Sequence, residues 1–315
     1  MKDKKDLKYL FIGGTQSGYK LLKAVISDDF HPSYAFILKE DKHEKEKYSQ
    51  KISKMLSKRG VSFELRKALS SEDLGFISRS GFDFVIVYGW RSMIKLDFNK
   101  SGLPLFAGIH NSLLPKYRGF APLQWAVING EKYSGITMFR IGNGDVDSGD
   151  IIRQKKIKIG DDEFIQEINS KFTEAAIKLF TEFINLYLKE ELRFRKQREK
   201  DATYTCKRIP EDSKIDWTKS STEIFNLIRA TADSPHSAYC AYKGKRYYIF
   251  EAAQGKFNNK KFSGRICGRV YRINDEGIEV ICGSGTLLIK KWCKINSGNI
   301  VTPSLEIKSI KETLS

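Results

Sequence analysis

From Leu7 to about Ile159, short apolar runs alternate with amphipathic stretches, the pattern of β-α-β units on a mostly parallel sheet. Tyr9–Gly13, Tyr34–Leu38, Ser62–Leu65 and Phe84–Tyr88 predict strands, and Tyr19–Ile26 and Tyr48–Leu56 carry apolar residues three and four apart, which predicts helices. The first strand runs into Gly13, Gly14 and Gly18, close to a dinucleotide fingerprint. The middle glycine is displaced and no acid lies about 20 residues on, so a tight strand-to-helix turn accounts for them. Phe164, Ile168, Phe172, Ala175, Leu179, Phe183 and Tyr187 then recur at helix spacing, predicting a long helix that closes a first domain at 1–190. The charged, aperiodic run Glu191–Asp212 reads as a linker. Across 213–315 the pattern predicts a helix over Ser221–Ala230, capped by Ser220 or Ser221. Short strands follow at Tyr239–Tyr242, Arg246–Glu251, Arg269–Ile273, Ile278–Cys282 and Thr286–Lys291, with Lys243-Gly244 as a hairpin turn. The economical arrangement of these strands is a small antiparallel β-barrel.

Composition adds one extreme value, a formal charge of +17 over 315 residues. It suits a polyanionic partner such as RNA, or a phosphate-bearing small substrate. Many lysines nevertheless alternate with acids: in Lys39–Lys47 four lysines face Glu40, Asp41, Glu44 and Glu46 at spacings that pair on a helix, so solvated surface is the plainer reading. The five cysteines are scattered, with no C-x-x-C spacing, which predicts free thiols and no zinc site. No apolar run reaches the 18 residues that a membrane span needs, and Met1–Lys8 is charged rather than apolar, so the cytoplasm is the expected address.

The densest chemistry lies between Val85 and Ile152. His110 stands before a Pro- and Gly-bearing loop, and Asp147 sits in a Gly-flanked turn. A lone histidine at a strand end is as readily a satisfied core residue as a catalyst. Two features favour chemistry: sites form at strand ends of open α/β sheets, and a carboxylate on one ring nitrogen equips an imidazole to take a proton with the other.

His110, Ser112–Pro115, Tyr117–Gly119, Pro122 and Asp147–Ile152 together match H-x-S-L-L-P, Y-R-G-x-x-P and D-x-G-D-I-I. On these motifs the chain resembles the 10-formyltetrahydrofolate-dependent formyltransferases, which include methionyl-tRNA formyltransferase and the sugar-nucleotide N-formyltransferases. Ala202-Thr203-Tyr204, Ile215-Asp216-Trp217 and Ile228-Arg229-Ala230 extend the resemblance to the second module. It implies a Rossmann-like catalytic domain followed by an OB-like barrel, and a formyl donor bound in a cleft of the sheet domain. It also implies an acceptor amine beside His110, with Asp147 fixing the imidazole. By similarity, Tyr88, Gly89, Trp90, Met93 and Ile94 belong to the loop that meets the pteridine, and Arg118, Gly119 and Asp150 lie near the folate. For Trp90, Met93 and Ile94 plain packing is an equal alternative. No metal is required.

One position departs from the family pattern. The catalytic Asn expected two residues before the histidine is Gly108 here, and Asn111 follows His110 on what should be the opposite face of an extended strand. Residues 108 and 110 share a face about 7 Å apart, so Asn at 108 would aim its amide at the reacting carbonyl and is expected to fit the strand. For the acceptor, a nucleotide-linked amino sugar is preferred, as in lipopolysaccharide biosynthesis. Lys39–Leu56 reads as a plain helix without the basic, proline-containing insertion of the tRNA enzymes, and Gly89-Trp90-Arg91 resembles the sugar enzymes. Arg193, Arg195, Lys196 and Arg198 keep tRNA as the alternative partner, an inactive folate- or nucleotide-binding homologue is a third reading, and a homodimer is an allowed assembly.

Overall fold

The computed structural model describes residues 3–28, 30–41, 44, 46–232, 237–257 and 260–315. Met1, Lys2, Lys42 and Lys45, which figured in the charge patterns above, lie outside them. The chain divides into two units, one of residues 3–122, 133–158 and 169–205, the other of 123–132, 159–168 and 206–315. No helix among the described residues is long and apolar enough to cross a membrane.

The first unit is built on a seven-stranded sheet. Strands β1 (Tyr9–Gly13), β2 (Tyr34–Leu38), β3 (Ser62–Arg66), β4 (Phe84–Tyr88) and β5 (Leu105–His110) pair in parallel; β7 (Tyr133–Arg140) and β8 (Ile151–Lys158) add antiparallel, giving the order β3-β2-β1-β4-β5-β7-β8. β1 and β4 are buried along their whole length, which is why they read as continuous apolar runs rather than alternating ones. Short β6 (Arg118–Gly119) lies outside this sheet. Helices α1 (Thr15–Ser27), α2 (Tyr48–Ser57) and α3 (Ser71–Arg79) bury the apolar positions Leu21, Leu22, Ile52, Leu56 and Ile77. α3 begins at a capping box in which Ser70 and Asp73 exchange hydrogen bonds, an S-x-x-D signal that periodicity alone had not picked out. The short α4 (Pro122–Ile128) belongs, all but its first residue, to the second unit, while α5 (Ile165–Leu188) is the expected long helix, its stripe of Phe172, Leu179, Phe180 and Phe183 buried.

Two expectations need correction here. Residues 39–47 are not helical where described; helix starts only at Tyr48. Their acids are held by other partners: Glu40 accepts from the Ser49 N–H, Asp41 pairs with Lys67, and Glu44 takes both Arg91 donors at 2.6 and 2.8 Å. That fork holds the Glu44 carboxyl below the usual carboxylate range. The second correction concerns 191–212. Its residues Arg195 to Thr205 are not a free connection: Arg195 exchanges backbone hydrogen bonds with Ile151, and β9 (Tyr204–Thr205) pairs in parallel with β6. Of its charged side chains, Glu199 pairs with the fully buried Arg118, while Arg198 pairs with Asp201 at the surface.

In residues 213–315 the expected helix and five strands are present. α6 (Ser221–Thr231) starts at the Ser220–Glu223 capping box. The antiparallel strands β10 (Tyr239–Tyr242), β11 (Lys245–Gln254), β12 (Val270–Asn274), β13 (Gly277–Ile281) and β14 (Thr286–Lys294) follow, in the order β10-β11-β14-β13-β12, with β15 (Ile300–Val301) on β14. The turn Lys243-Gly244 has φ of 48° and 72°, the left-handed pair that a two-residue hairpin demands. The last residues close the sheet: Leu314 bonds Gly268 beside β12, and Ser315 exchanges bonds with Ala241 on β10. Both edges are thus occupied, which removes the exposed ladder of an open sheet.

Candidate active site

β5 runs between β4 and β7, with Val87 opposite Gly108 on one side and Thr137 opposite His110 on the other. It delivers His110 to the carboxyl end of the sheet, where ligands bind in open α/β folds. The loop after it is tied down from within. Ser112, wholly buried, donates to the Lys116 carbonyl at 2.6 Å. Thr137 donates to the Ser112 carbonyl at 2.7 Å and accepts from the Leu114 N–H, and Gln154 bonds both Leu114 and Thr137. Ser112 and Leu114 of the motif therefore serve to fix this loop.

His110 is 8% exposed. Its Nδ1 lies 3.4 Å from Asp147 Oδ2, and its Nε2 lies 2.7 Å from the Tyr117 carbonyl. Both ring nitrogens face oxygen acceptors, so a neutral ring can donate to only one of them while an imidazolium donates to both. Asp147 Oδ2 is itself held by the Gly119 N–H at 2.9 Å. Asp147 and Tyr117 both adopt left-handed backbone, φ of 53° and 59°, a conformation that costs a residue such as Tyr on the order of 1 kcal/mol and that concentrates at functional sites.

Arg118 is buried completely. Its guanidinium bonds Gln197 Oε1 at 2.8 and 3.1 Å, Glu199 at 2.6 and 2.9 Å and the Tyr204 hydroxyl at 2.9 Å. This fork holds the Glu199 carboxyl below its ordinary range. Arg118 thus spends its donors inside the protein, on residues of the segment read as linker. Asp150 pairs with Arg140 at 2.5 Å. Sequence reasoning missed Gln197 and Glu199, and had Tyr204 only as part of the Ala202-Thr203-Tyr204 resemblance, without its bond to Arg118.

On the β4 loop, burial pushes the Tyr88 hydroxyl up to about 12, and it donates to Asn111 Oδ1 at 3.1 Å, which leaves the Asn111 amide N–H groups facing elsewhere. Gly89 has φ of 69°, and a side chain there would meet the Gly14 carbonyl at 2.5 Å. Trp90 and Ile94 pack against the buried cluster of Leu10, Phe36, Val85 and Phe106, while Met93 is 58% exposed. The Trp90 indole N–H is buried without a hydrogen-bond partner.

Gly108 corrects the expectation that Asn would fit. A Cβ at 108 would lie 2.7 Å from Phe139 Cε1, 2.9 Å from its Cζ and 3.2 Å from Ile141 Cδ1. Phe139, directly across the ladder, fills the volume that a side chain at 108 would need. The glycine and the phenylalanine are a matched pair, and no carboxamide can enter without moving the ring. Among the described residues no cluster of three or more His, Cys, Asp or Glu could hold a metal.

Residues 8–184 match the profile described as "Formyl transferase", and 208–305 match "Formyl transferase, C-terminal domain". The chain is 34% identical over 225 residues to the methionyl-tRNA formyltransferase of Clostridium tetani (strain Massachusetts / E88), covering 70% of this chain and 69% of the relative. It is similar in fold to the N-formyltransferase from Helicobacter canadensis solved with folinic acid and dTDP-3-aminofucose (TM-score 0.68, 18% identity, 90% of this chain and 99% of that one). It is also similar to WlaRD, a sugar 3N-formyl transferase solved with dTDP and 5-N-formyl-THF (TM-score 0.67, 19% identity, 92% and 98%). Two matched regions that together span most of the sequence, and a relative at 34% identity, place the chain in the formyl transferase family.

Proposed function

We propose that the enzyme moves the formyl group of 10-formyltetrahydrofolate to the primary amine of a nucleotide-linked amino sugar, with His110 as general base and Asp147 as its partner. The observation that carries the reaction is the His110–Asp147 contact at the end of β5. The neutral amine attacks the formyl carbon, forming a C–N bond and an oxyanion. His110 takes the amine proton at Nε2 once that nitrogen turns from the Tyr117 carbonyl, and Asp147 balances the imidazolium. The oxyanion then collapses, the bond from the formyl carbon to the folate nitrogen breaks, and His110 returns the proton to that nitrogen. Tetrahydrofolate and a formamide leave, and the enzyme is unchanged. The oxyanion would rest on donors other than residue 108, and Asn111, with its carbonyl held by Tyr88, is the nearest carboxamide in sequence. The unpaired Trp90 N–H suits the carbonyl or ring nitrogens of a pteridine, as the position of its loop implies.

For the acceptor, support comes from the connection between β2 and α2. It is only nine residues long, 39–47, too short to carry an inserted basic arm, and its acids Glu40, Asp41 and Glu44 are held by Ser49, Lys67 and Arg91. Such a loop gives little grip on an RNA backbone. A second reading, transfer to initiator methionyl-tRNA, is favoured by the 34% identical relative and by a cleft of about 380 Å³ between α1 and α2, lined by Lys23, Lys51, Lys54, Lys58 and Arg59. The deciding experiment assays formyl transfer to a panel of nucleotide-linked amino sugars beside initiator methionyl-tRNA. On the sugar reading, tRNA binds weakly and without preference for the initiator, and affinity falls on the order of 1000-fold between about 50 and 200 mM salt. Tight, initiator-selective binding that survives such salt would overturn the sugar-nucleotide assignment.

A further inference from the structure

Gln197 lies between the two matched regions, and its side chain makes four hydrogen bonds. Its Oε1 accepts from Arg118 Nε and from a second Arg118 nitrogen at 3.1 and 2.8 Å. Its Nε2 donates to the carbonyls of Asp147 and Gly149, both at 2.7 Å. The amide is thereby used on every side: the acceptor end is fixed by a fully buried cation and the donor end grips the backbone on both sides of Ser148. We propose that residues 193–205 form a positioning strap and that Gln197 sets the orientation of Asp147 toward His110; this rests on the general-base reading of that pair.

The physical case has three parts. First, Asp147 is held in left-handed backbone, φ 53°, a state that persists only where its surroundings enforce it. The Gln197 donors hold the Asp147 and Gly149 carbonyls in that turn, while the Gly119 N–H holds the carboxylate oxygen that faces His110. Secondly, the strap is itself anchored independently of Gln197. Arg195 pairs with Ile151, Thr203 accepts from the Tyr117 N–H at 2.8 Å, the Arg118 N–H donates to the Thr203 carbonyl, and Glu199 and Tyr204 complete the Arg118 shell. Thirdly, the strap reaches both oxygens that face the imidazole. Gln197 grips the residue that supplies the carboxylate, and Thr203 grips the N–H of Tyr117, whose carbonyl meets Nε2. One segment thus places both oxygens that face the ring. A misplacement of about 1 Å at such a group costs roughly 100-fold in rate when geometry is the catalyst.

The test is a double-mutant cycle in the full-length enzyme. Gln197→Met keeps length and removes all four hydrogen bonds; Gln197→Glu keeps acceptors for Arg118 and removes the two donors to the 147–149 turn. Each is expected to lower kcat roughly 10- to 100-fold with the KM of both substrates nearly unchanged. In an Asp147→Asn background, the same Gln197 change is expected to cost less than about threefold, because it acts through Asp147. Hydrogen exchange of the Gly119 amide, whose acceptor is Asp147 Oδ2, is expected to quicken in both Gln197 variants. If Asp147→Asn lowers the rate but the two Gln197 variants do not, the strap proposal is wrong and the base assignment stands. Equal, additive losses in both backgrounds would make Gln197 a merely structural residue, which also overturns the proposal. If Asp147→Asn itself leaves kcat intact, the base reading fails and the strap falls with it.

Discussion

His110→Ala and Asp147→Asn are each expected to lower kcat by at least about 100-fold while leaving folate affinity nearly unchanged. The expectation follows from the accounting at the ring. Each of its two nitrogens faces one oxygen, and only the protonated ring satisfies both. Removing the imidazole takes away the proton acceptor, and exchanging the carboxylate for an amide takes away the charge that balances the imidazolium. Neither change touches the β4 loop with Gly89 and Trp90, where the proposed function puts the pteridine. Turnover and folate titration on both variants check this. Affinity falling in step with rate would mark the two residues as structural supports of the 111–119 loop.

Gly108→Asn is the second large effect, and its expected sign follows from Phe139. With the ring in place, the new side chain overpacks a fully buried strand pair, at a cost of about 1–3 kcal/mol. The single variant is therefore expected to unfold at lower denaturant and to be slower than wild type. Phe139→Ala combined with Gly108→Asn gives the carboxamide the volume that the ring occupied. If the amide then points at the developing oxyanion, the double variant should exceed Phe139→Ala alone by on the order of 100-fold in kcat. Equal rates in those two variants would mean that another donor, with Asn111 the first to examine, already holds the oxygen.

These two sites illustrate what the chain discloses about itself. β1, β2 and β4 were legible because a parallel strand buried on both faces must be apolar throughout, and α5 because its stripe repeats over six turns. His110 and Asp147 were legible through motif spacing, and their contact bears on the same chemistry. Residues 39–47 misled because charges at helical spacing look self-paired, whereas Glu44 and Asp41 find Arg91 and Lys67, 47 and 26 residues away. The stretch 191–212 misled for a related reason. A charged, aperiodic run signals solvent only if its partners are water, and the partner of Gln197 and Glu199 is a buried arginine about 80 residues earlier. The tight fit at Gly108 was invisible because nothing in its neighbours along the chain announces Phe139 across the ladder. Non-local pairing of polar and packed groups is what local pattern leaves out.

The most direct test of the central claim is a single-turnover reaction with 10-formyltetrahydrofolate labelled at the formyl carbon and a nucleotide-linked amino sugar as acceptor. The account predicts that the label appears as a sugar formamide in step with tetrahydrofolate, and that the His110→Ala enzyme binds the folate yet forms no product on that timescale. Folate binding by wild type with no transfer to any amine acceptor, sugar or tRNA, or transfer that proceeds undiminished in His110→Ala, would contradict it.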